Sequence, residues 1–150
     1  MILPDFKGFP RDGRIVGVDW GLRRIGVAVS DPARNFVFVR DAVVVPRGAT
    51  NHADRIAEFA MAQGGVGIVV GLPLYPDGAD SDTTKMVRDF VADLESKTDL
   101  PIVTVEENLT SIVAQENIGR TRVRELKEKL DSESARVILE NAIALINRAN

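Results

Sequence analysis

The stretch Arg14–Ser30, RIVGVDWGLRRIGVAVS, decides how this chain folds. Arg14–Asp19 and Arg24–Ser30 are two runs rich in Val and Ile, separated by Trp20-Gly21-Leu22-Arg23, a segment with the composition of a turn. Branched side chains suit a pleated surface and a Gly-containing spacer reverses the chain, so the pair predicts a β-hairpin whose first strand ends on an acid, Asp19. Phe36–Val45 (FVFVRDAVVV) continues the pattern, interrupted only by Arg40-Asp41 and stopped by Pro46 and Gly48. Three strands with short connections imply an antiparallel meander.

Beyond the meander the apolar period changes. Ile56, Phe59 and Ala60 share one helical face between Asn51, a candidate N-cap, and the Gly64-Gly65 stop. Val66–Leu72 (VGIVVGL) is short and wholly apolar, as in strands buried on both faces, and it ends at Pro73 and a polar loop through Asp82. A second helix reaches Lys97 with Met86, Val87, Phe90, Val91 and Leu94 at helical spacing, and Pro101–Val105 reads as a fifth strand. Thr110–Ile118 and Asp131–Arg148 read as helices, the latter with Ala135, Ile138, Leu139, Ala142, Ile143 and Ile146 in one stripe. Gly119–Leu130 between them is charged and poor in core residues. This order predicts an α/β fold: a mixed five-stranded sheet flanked by helices, its first three strands antiparallel and strands one, four and five parallel through right-handed crossovers. Residues 1–150 are expected to form a single domain, with 1–13 as an N-terminal extension.

Composition narrows the function classes. The chain has no cysteine, which removes disulfides, thiol catalysis and thiolate metal sites, and its one histidine argues against zinc. That residue, His52, follows a helix cap and is expected to be exposed and without a role. No apolar run has the length of a bilayer span and the first residues lack a signal-peptide core, so the expectation is a cytoplasmic protein with no membrane partner. A net charge of -3 and a pI of about 5.2 lack the basic footprint usual for nucleic-acid binding. The charge is unevenly placed: residues 1–50 carry eight basic against five acidic residues, 51–118 four against twelve, and 119–150 seven against five. Both ends can therefore face a polyanion while the acidic centre faces away.

Side chains at the carboxyl ends of parallel strands converge where strand order reverses, which makes that edge the place to look for chemistry. Asp19 closes strand one, Glu106 and Glu107 close strand five, and Asp131 opens the last helix. Phosphodiester cleavage needs an activated water and a stabilised leaving oxyanion held in line, and two divalent ions about 4 Å apart supply both. Magnesium and manganese prefer oxygen ligands, and magnesium binds through few carboxylates. Read singly, Asp19 is equally a turn residue and Asp131 a cap, and of the adjacent Glu106 and Glu107 only one can point into a shared site. Gly21 and Gly71 suit either a tight turn or close approach of backbone to phosphate. Arg23 and Arg24 face opposite ways in a hairpin, so one of them is a candidate substrate contact. Arg120, Arg122, Arg124, Lys127 and Lys129 form a basic run that reads as a mobile phosphate-gripping segment or an exposed face. Thr110 is a helix cap or a substrate contact, and Trp20 packs or stacks on a base.

Four blocks carry a family resemblance. Arg14–Pro32 resembles the opening of YqgF/RuvX proteins, in which a strand ending Asp-x-Gly precedes a basic residue, Ile-Gly-x-Ala and Asp-Pro. Val69–Gly78 (VVGLPLYPDG) is similar to that family's Gly-Leu-Pro loop, Glu106–Thr110 (EENLT) to its Asp-Glu-Arg-x-Thr, and Asp131–Leu139 (DSESARVIL) to its Asp-x-x-Ala-Ala helix start. The resemblance implies a ribonuclease H-like fold with Asp19, Glu107 and Asp131 as catalytic metal ligands for two Mg²⁺ or Mn²⁺ ions. It also implies a nuclease acting on nucleic acid, either precursor 16S rRNA or branched DNA of the Holliday-junction type. The chain departs from the pattern at Glu106, at Asn108 in place of Arg, and at Ser134 where Ala is usual. Asn108 removes a guanidinium that would pair with phosphate or orient a carboxylate. Three functions stand: a metal-dependent nuclease, monomeric or homodimeric; an RNA-binding assembly factor that has lost its chemistry; and a sugar kinase or ATPase of the actin-like type, which requires two such domains.

Overall fold

A computed structural model of the chain describes residues 1–75, 77–108 and 123–149, with side chains at 1–75, 77–107 and 133–148. The Val and Ile runs form β1 (Arg14–Asp19), β2 (Arg24–Ser30), β3 (Val37–Val44), β4 (Gly65–Leu74) and β5 (Ile102–Asn108), arranged in the order β3-β2-β1-β4-β5. β2 is antiparallel to both β1 and β3, whereas β4 is parallel to both β1 and β5. This is the mixed five-stranded sheet expected from the sequence, its first three strands antiparallel and strands one, four and five parallel. The helices α1 (His52–Ala62), α2 (Asp82–Lys97) and α3 (Val123–Ala149) cover its two faces.

Strand periodicity of two sorts the core into two layers. Val16, Val18, Ile68, Val70 and Leu72 face α1 and α2, where they meet Ile56, Val87, Phe90 and Leu94. Ile15, Ala28, Val69, Val103 and Val105 face α3 and meet Ala135, Ile138, Leu139 and Ala142. Full burial of one such aliphatic side chain contributes roughly 1.5–3 kcal/mol, so the two layers together hold the sheet between its helices. Gly17 lies in the second layer: a Cβ there would stand 2.8 Å from Leu139 Cβ and 3.0 Å from the Ala135 carbonyl, so the missing side chain lets α3 settle close against β1.

Several boundaries differ from the sequence expectation, each for a physical reason. β4 continues through Pro73 to Leu74, pairing Pro73 with Glu107. Ile68 donates its N–H toward the β5 side, to Pro101 O at 2.9 Å. Alternation therefore aims the donor-less nitrogen of Pro73 at the β1 side, beyond the end of β1 at Asp19, and no ladder bond is lost. The Pro73 carbonyl instead accepts from Thr84 Oγ1, whose backbone N–H is in turn capped by Ser81 in a reciprocal capping box. Asn51 occupies the N-cap of α1 without capping it, since its Oδ1 accepts from Arg55 Nε at 2.9 Å.

The last helix begins at Val123, eight residues before Asp131. Asp131 is thus an interior helix residue and neither opens nor caps the helix. The intervening VRELKEKL carries Val123, Leu126 and Leu130 at helical spacing among strong helix formers, with Glu125 placed four residues before Lys129. Arg124 and Lys127 consequently belong to a helix and not to a loop. Met86, assigned by periodicity to the buried face of α2, is 48% exposed. His52, expected to be exposed, is half-buried: its Nε2 lies 2.6 Å from Leu22 O and its ring lies against Trp20. The helix expected over Thr110–Ile118 lies outside the described residues, as do Thr110, Arg120 and Arg122.

Residues before β1 pack on the sheet. Ile2 bridges Ile102 in parallel on the outer side of β5, with Leu3 N–H donating to Ile102 O at 2.8 Å, and the buried Phe9 fills the space a side chain at Gly67 would need. At the opposite edge, β3 carries one extra residue against β2, because Ile25 and Val27 pair with Val43 and Arg40.

Candidate active site

Asp19 is the last residue of β1, in register with Gly26 on β2. Extending the β1–β4 register by one residue from Val18 and Val70 sets Asp19 beside Gly71. On the far side of β4, Gly71 pairs with Val105, two residues before Glu107. Asp19 follows Ile15 and Gly17 on the α3 face, and Glu107 follows Val103 and Val105 on that same face. The two acids are therefore on one side of the sheet at its carboxyl edge, two strand spacings apart and offset by two residues, or about 12 Å between backbones.

Gly71 lies in the gap. A Cβ at this position would be 2.9 Å from Glu107 Oε2 and 3.0 Å from its Cδ, and closer still to Ile138 Cδ1. The Glu107 side chain thus leans across β4 toward β1, over a glycine and under α3. Gly71 serves neither a turn nor a left-handed bend, since it is inside β4 and has no positive φ. Its missing side chain leaves room for Ile138 of α3 and for the Glu107 carboxylate. Gly21, by contrast, does make a turn, and a Cβ there would collide with the Arg24 carbonyl.

Burial raises the Glu107 carboxyl from its ordinary pKa of 4.5 to about 7. Among the described residues no hydrogen-bond donor or cation meets it. A half-buried carboxylate of this kind accepts positive charge readily, because a cation would restore the solvation that burial removed. Among the described residues no group of three His, Asp or Glu stands together as a metal-binding cluster, and the side chain of Asp131 lies outside them. Its backbone position is four residues before Ala135, one helical turn from the point where α3 crosses Gly17.

The same alternation separates the other candidates. Glu106 is exposed and pairs with Leu72, on the side of the sheet away from Glu107. Arg24 shares the α3 face with Ala28 and stands diagonal to Asp19 across the β1–β2 ladder, whereas Arg23 is exposed in the turn. Asp19 and Arg24 each engage a neighbour. Trp20 turns to the opposite face and packs against the α1/α2 core. Sequence reasoning gave no role to Gly17 or to the contact of Ile138 with the Gly71 gap. Glycine inside an apolar strand was the available signal for both.

Residues 13–144 match the family model described as RuvX, Holliday junction resolvase. A protein of Maridesulfovibrio salexigens named "Putative pre-16S rRNA nuclease" is 38% identical over 139 residues, spanning 87% of this chain and 98% of that protein. One of the same name from Rhodopirellula baltica is 35% identical over 137 residues, spanning 89% and 78%. Among solved structures, T. thermophilus RuvC in complex with a Holliday junction substrate aligns with a TM-score of 0.47 and 13% identity, over 89% of this chain and 90% of that one. No helix among the described residues is long and apolar enough to cross a membrane.

Proposed function

The chain belongs to the RuvX family, and from that membership we propose that it is a divalent-metal-dependent nuclease that hydrolyses phosphodiester bonds of structured RNA, precursor 16S rRNA being the substrate its relatives' name suggests. The observation that carries the reading is Glu107, a carboxylate held under α3 on the same face and edge as Asp19, with a glycine clearing the space between them.

Asp19, Glu107 and Asp131 are the residues that would hold Mg²⁺ or Mn²⁺. Bound there, the ions supply the charge that activates water and stabilises the departing oxyanion. The chain supplies position. Asp19 is fixed by its pairing with Gly26 on β2 and by the Val18–Val70 pair just before it, and Glu107 is fixed by β5 and by the walls formed by Gly71 and Ile138. Carboxylates set on strands in this way need little reorganisation when substrate arrives. Arg24, on the same face, is placed to orient a phosphate on the hairpin side of the edge, and Arg124 and Lys127, on α3, extend positive charge along the helix sequence. Thr110, Arg120 and Arg122 are further candidates on sequence grounds alone.

The test is to incubate wild type and Asp19→Asn with precursor 16S rRNA and with a four-way DNA junction, each with magnesium and then manganese. The expected result is metal-dependent cleavage of the RNA by wild type and none by the variant. Cleavage of the junction alone would change the substrate class, and equal cleavage by both proteins would overturn the site.

A further inference from the structure

On the side of the sheet away from the acids, the β1–β2 turn and α2 enclose a groove of about 260 Å³ lined by Trp20, Leu22, His52, Met86, Asp89 and Asp93. Two of its walls are apolar side chains left in solvent: Leu22 is 62% and Met86 48% exposed. Its floor is preformed, since His52 bonds the Leu22 carbonyl and its ring lies 5.6 Å from that of Trp20 at 32°. Its rim is acidic. Asp89 and Asp93 are one helical turn apart and both exposed, and neither carboxylate has a hydrogen-bond or ion-pair partner among the described residues. Nearby acids differ in this respect: Asp80 pairs with Arg88, and Asp54 with Lys97 at 3.4 Å. No basic residue lines the groove.

We propose that this groove docks a protein segment in which Lys or Arg flanks an aliphatic or aromatic anchor. The anchor would cover Leu22, Met86 and Trp20, and the cations would meet Asp89 and Asp93. An apolar concavity with an uncompensated acidic rim selects this chemistry: it repels a nucleic-acid backbone and another acidic surface, and it gives a basic partner both a seat and steering. The assignment does not depend on the nuclease reading. It does place the partner next to the active edge, because Trp20 directly follows Asp19.

Trp20 is the single tryptophan of the chain, so its fluorescence reports occupancy of the groove. The probe is a ten-residue capped peptide alternating Lys and Leu, compared with decalysine and with a Glu/Leu peptide of the same pattern. Saturable change in Trp20 emission is expected with Lys/Leu, weaker by about tenfold with decalysine and absent with Glu/Leu. Met86→Asp and the double variant Asp89→Lys/Asp93→Lys, all exposed positions, should each weaken Lys/Leu binding by about tenfold or more while leaving the circular dichroism spectrum unchanged. Equal binding by wild type and both variants, or no saturable signal, would overturn the proposal. So would sedimentation of the protein alone as a dimer that Met86→Asp dissociates, which would assign the groove to a second copy. Saturable Trp20 quenching by a single-stranded RNA oligonucleotide, lost in Met86→Asp, would assign it to nucleic acid.

Discussion

The two faces of the same five strands are built on different rules. Toward α1 and α2, β1 and β4 present the buried branched or large aliphatics Val16, Val18, Ile68, Val70 and Leu72. Toward α3 the same strands present Gly17 and Gly71 among the aliphatics, and the face ends in Asp19 on β1 and Glu107 on β5. One face is packed for cohesion. The other gives up side-chain volume so that a helix can approach and a carboxylate can cross a strand. The glycines and the candidate acids thus share the α3 side of the sheet, and single substitutions on the two sides should differ in effect.

The largest separation is expected at Asp19. Asp19→Asn should lower the cleavage rate by about a thousandfold or more, roughly 4 kcal/mol of barrier, with the urea midpoint unchanged or raised. A large loss of stability would show that the acid serves the fold. The converse substitution on the other face, Ile68→Ala, removes a fully buried side chain and should cost about 2–5 kcal/mol in unfolding experiments while leaving the cleavage rate at full metal saturation within a few-fold of wild type. A matching collapse in rate would mean that the faces are mechanically coupled.

Acidity sharpens the contrast next. The Glu107 carboxyl titrates near 7 in the folded chain instead of near 4.5, so its protonated form is favoured by folding. Its contribution is complete below pH about 4.5 and is lost as pH rises through about 7. In EDTA, wild type should therefore lose on the order of 2 kcal/mol of stability between pH 5 and pH 8 relative to Glu107→Gln, allowing for the solvent this group still meets. Parallel pH profiles for the two proteins would dismiss the burial argument. The smallest effect is expected at Gly71→Ala, whose methyl must displace Glu107 or Ile138: about 1–3 kcal/mol of stability, with a rate loss disproportionate to it. A rate unchanged by this methyl would free Glu107 from any need for the gap.

The strands were legible because branched residues in short runs have few other uses, and their directions followed from tight connections early in the chain and helical crossovers later. Pro73 was misplaced because sequence does not reveal which neighbour a strand outlives. The start of α3 was missed because in VRELKEKL five charged residues outnumber Val123, Leu126 and Leu130, although these three repeat at helical spacing. At the site, spacing alone left Glu106 and Glu107 undivided, and it was the burial of Val103 and Val105 under α3 that separated them. Gly71 was legible as unusual but not as to its purpose, since Ile138 lies 67 residues farther along the chain.

The bulge in β3 has a consequence for how the protein behaves at high concentration. Among the described residues β3 has no strand outside it, and Phe38, Val39 and Val44 along it, with Phe36 just before it, are exposed. A flat strand of that composition is a template for runaway cross-β growth. One surplus residue, next to Arg40 and Asp41, twists the ribbon and puts charge in its middle, so that a neighbouring molecule finds no straight row of donors and acceptors to copy. The surplus residue and its two charged neighbours together make this edge a poor template for strand addition.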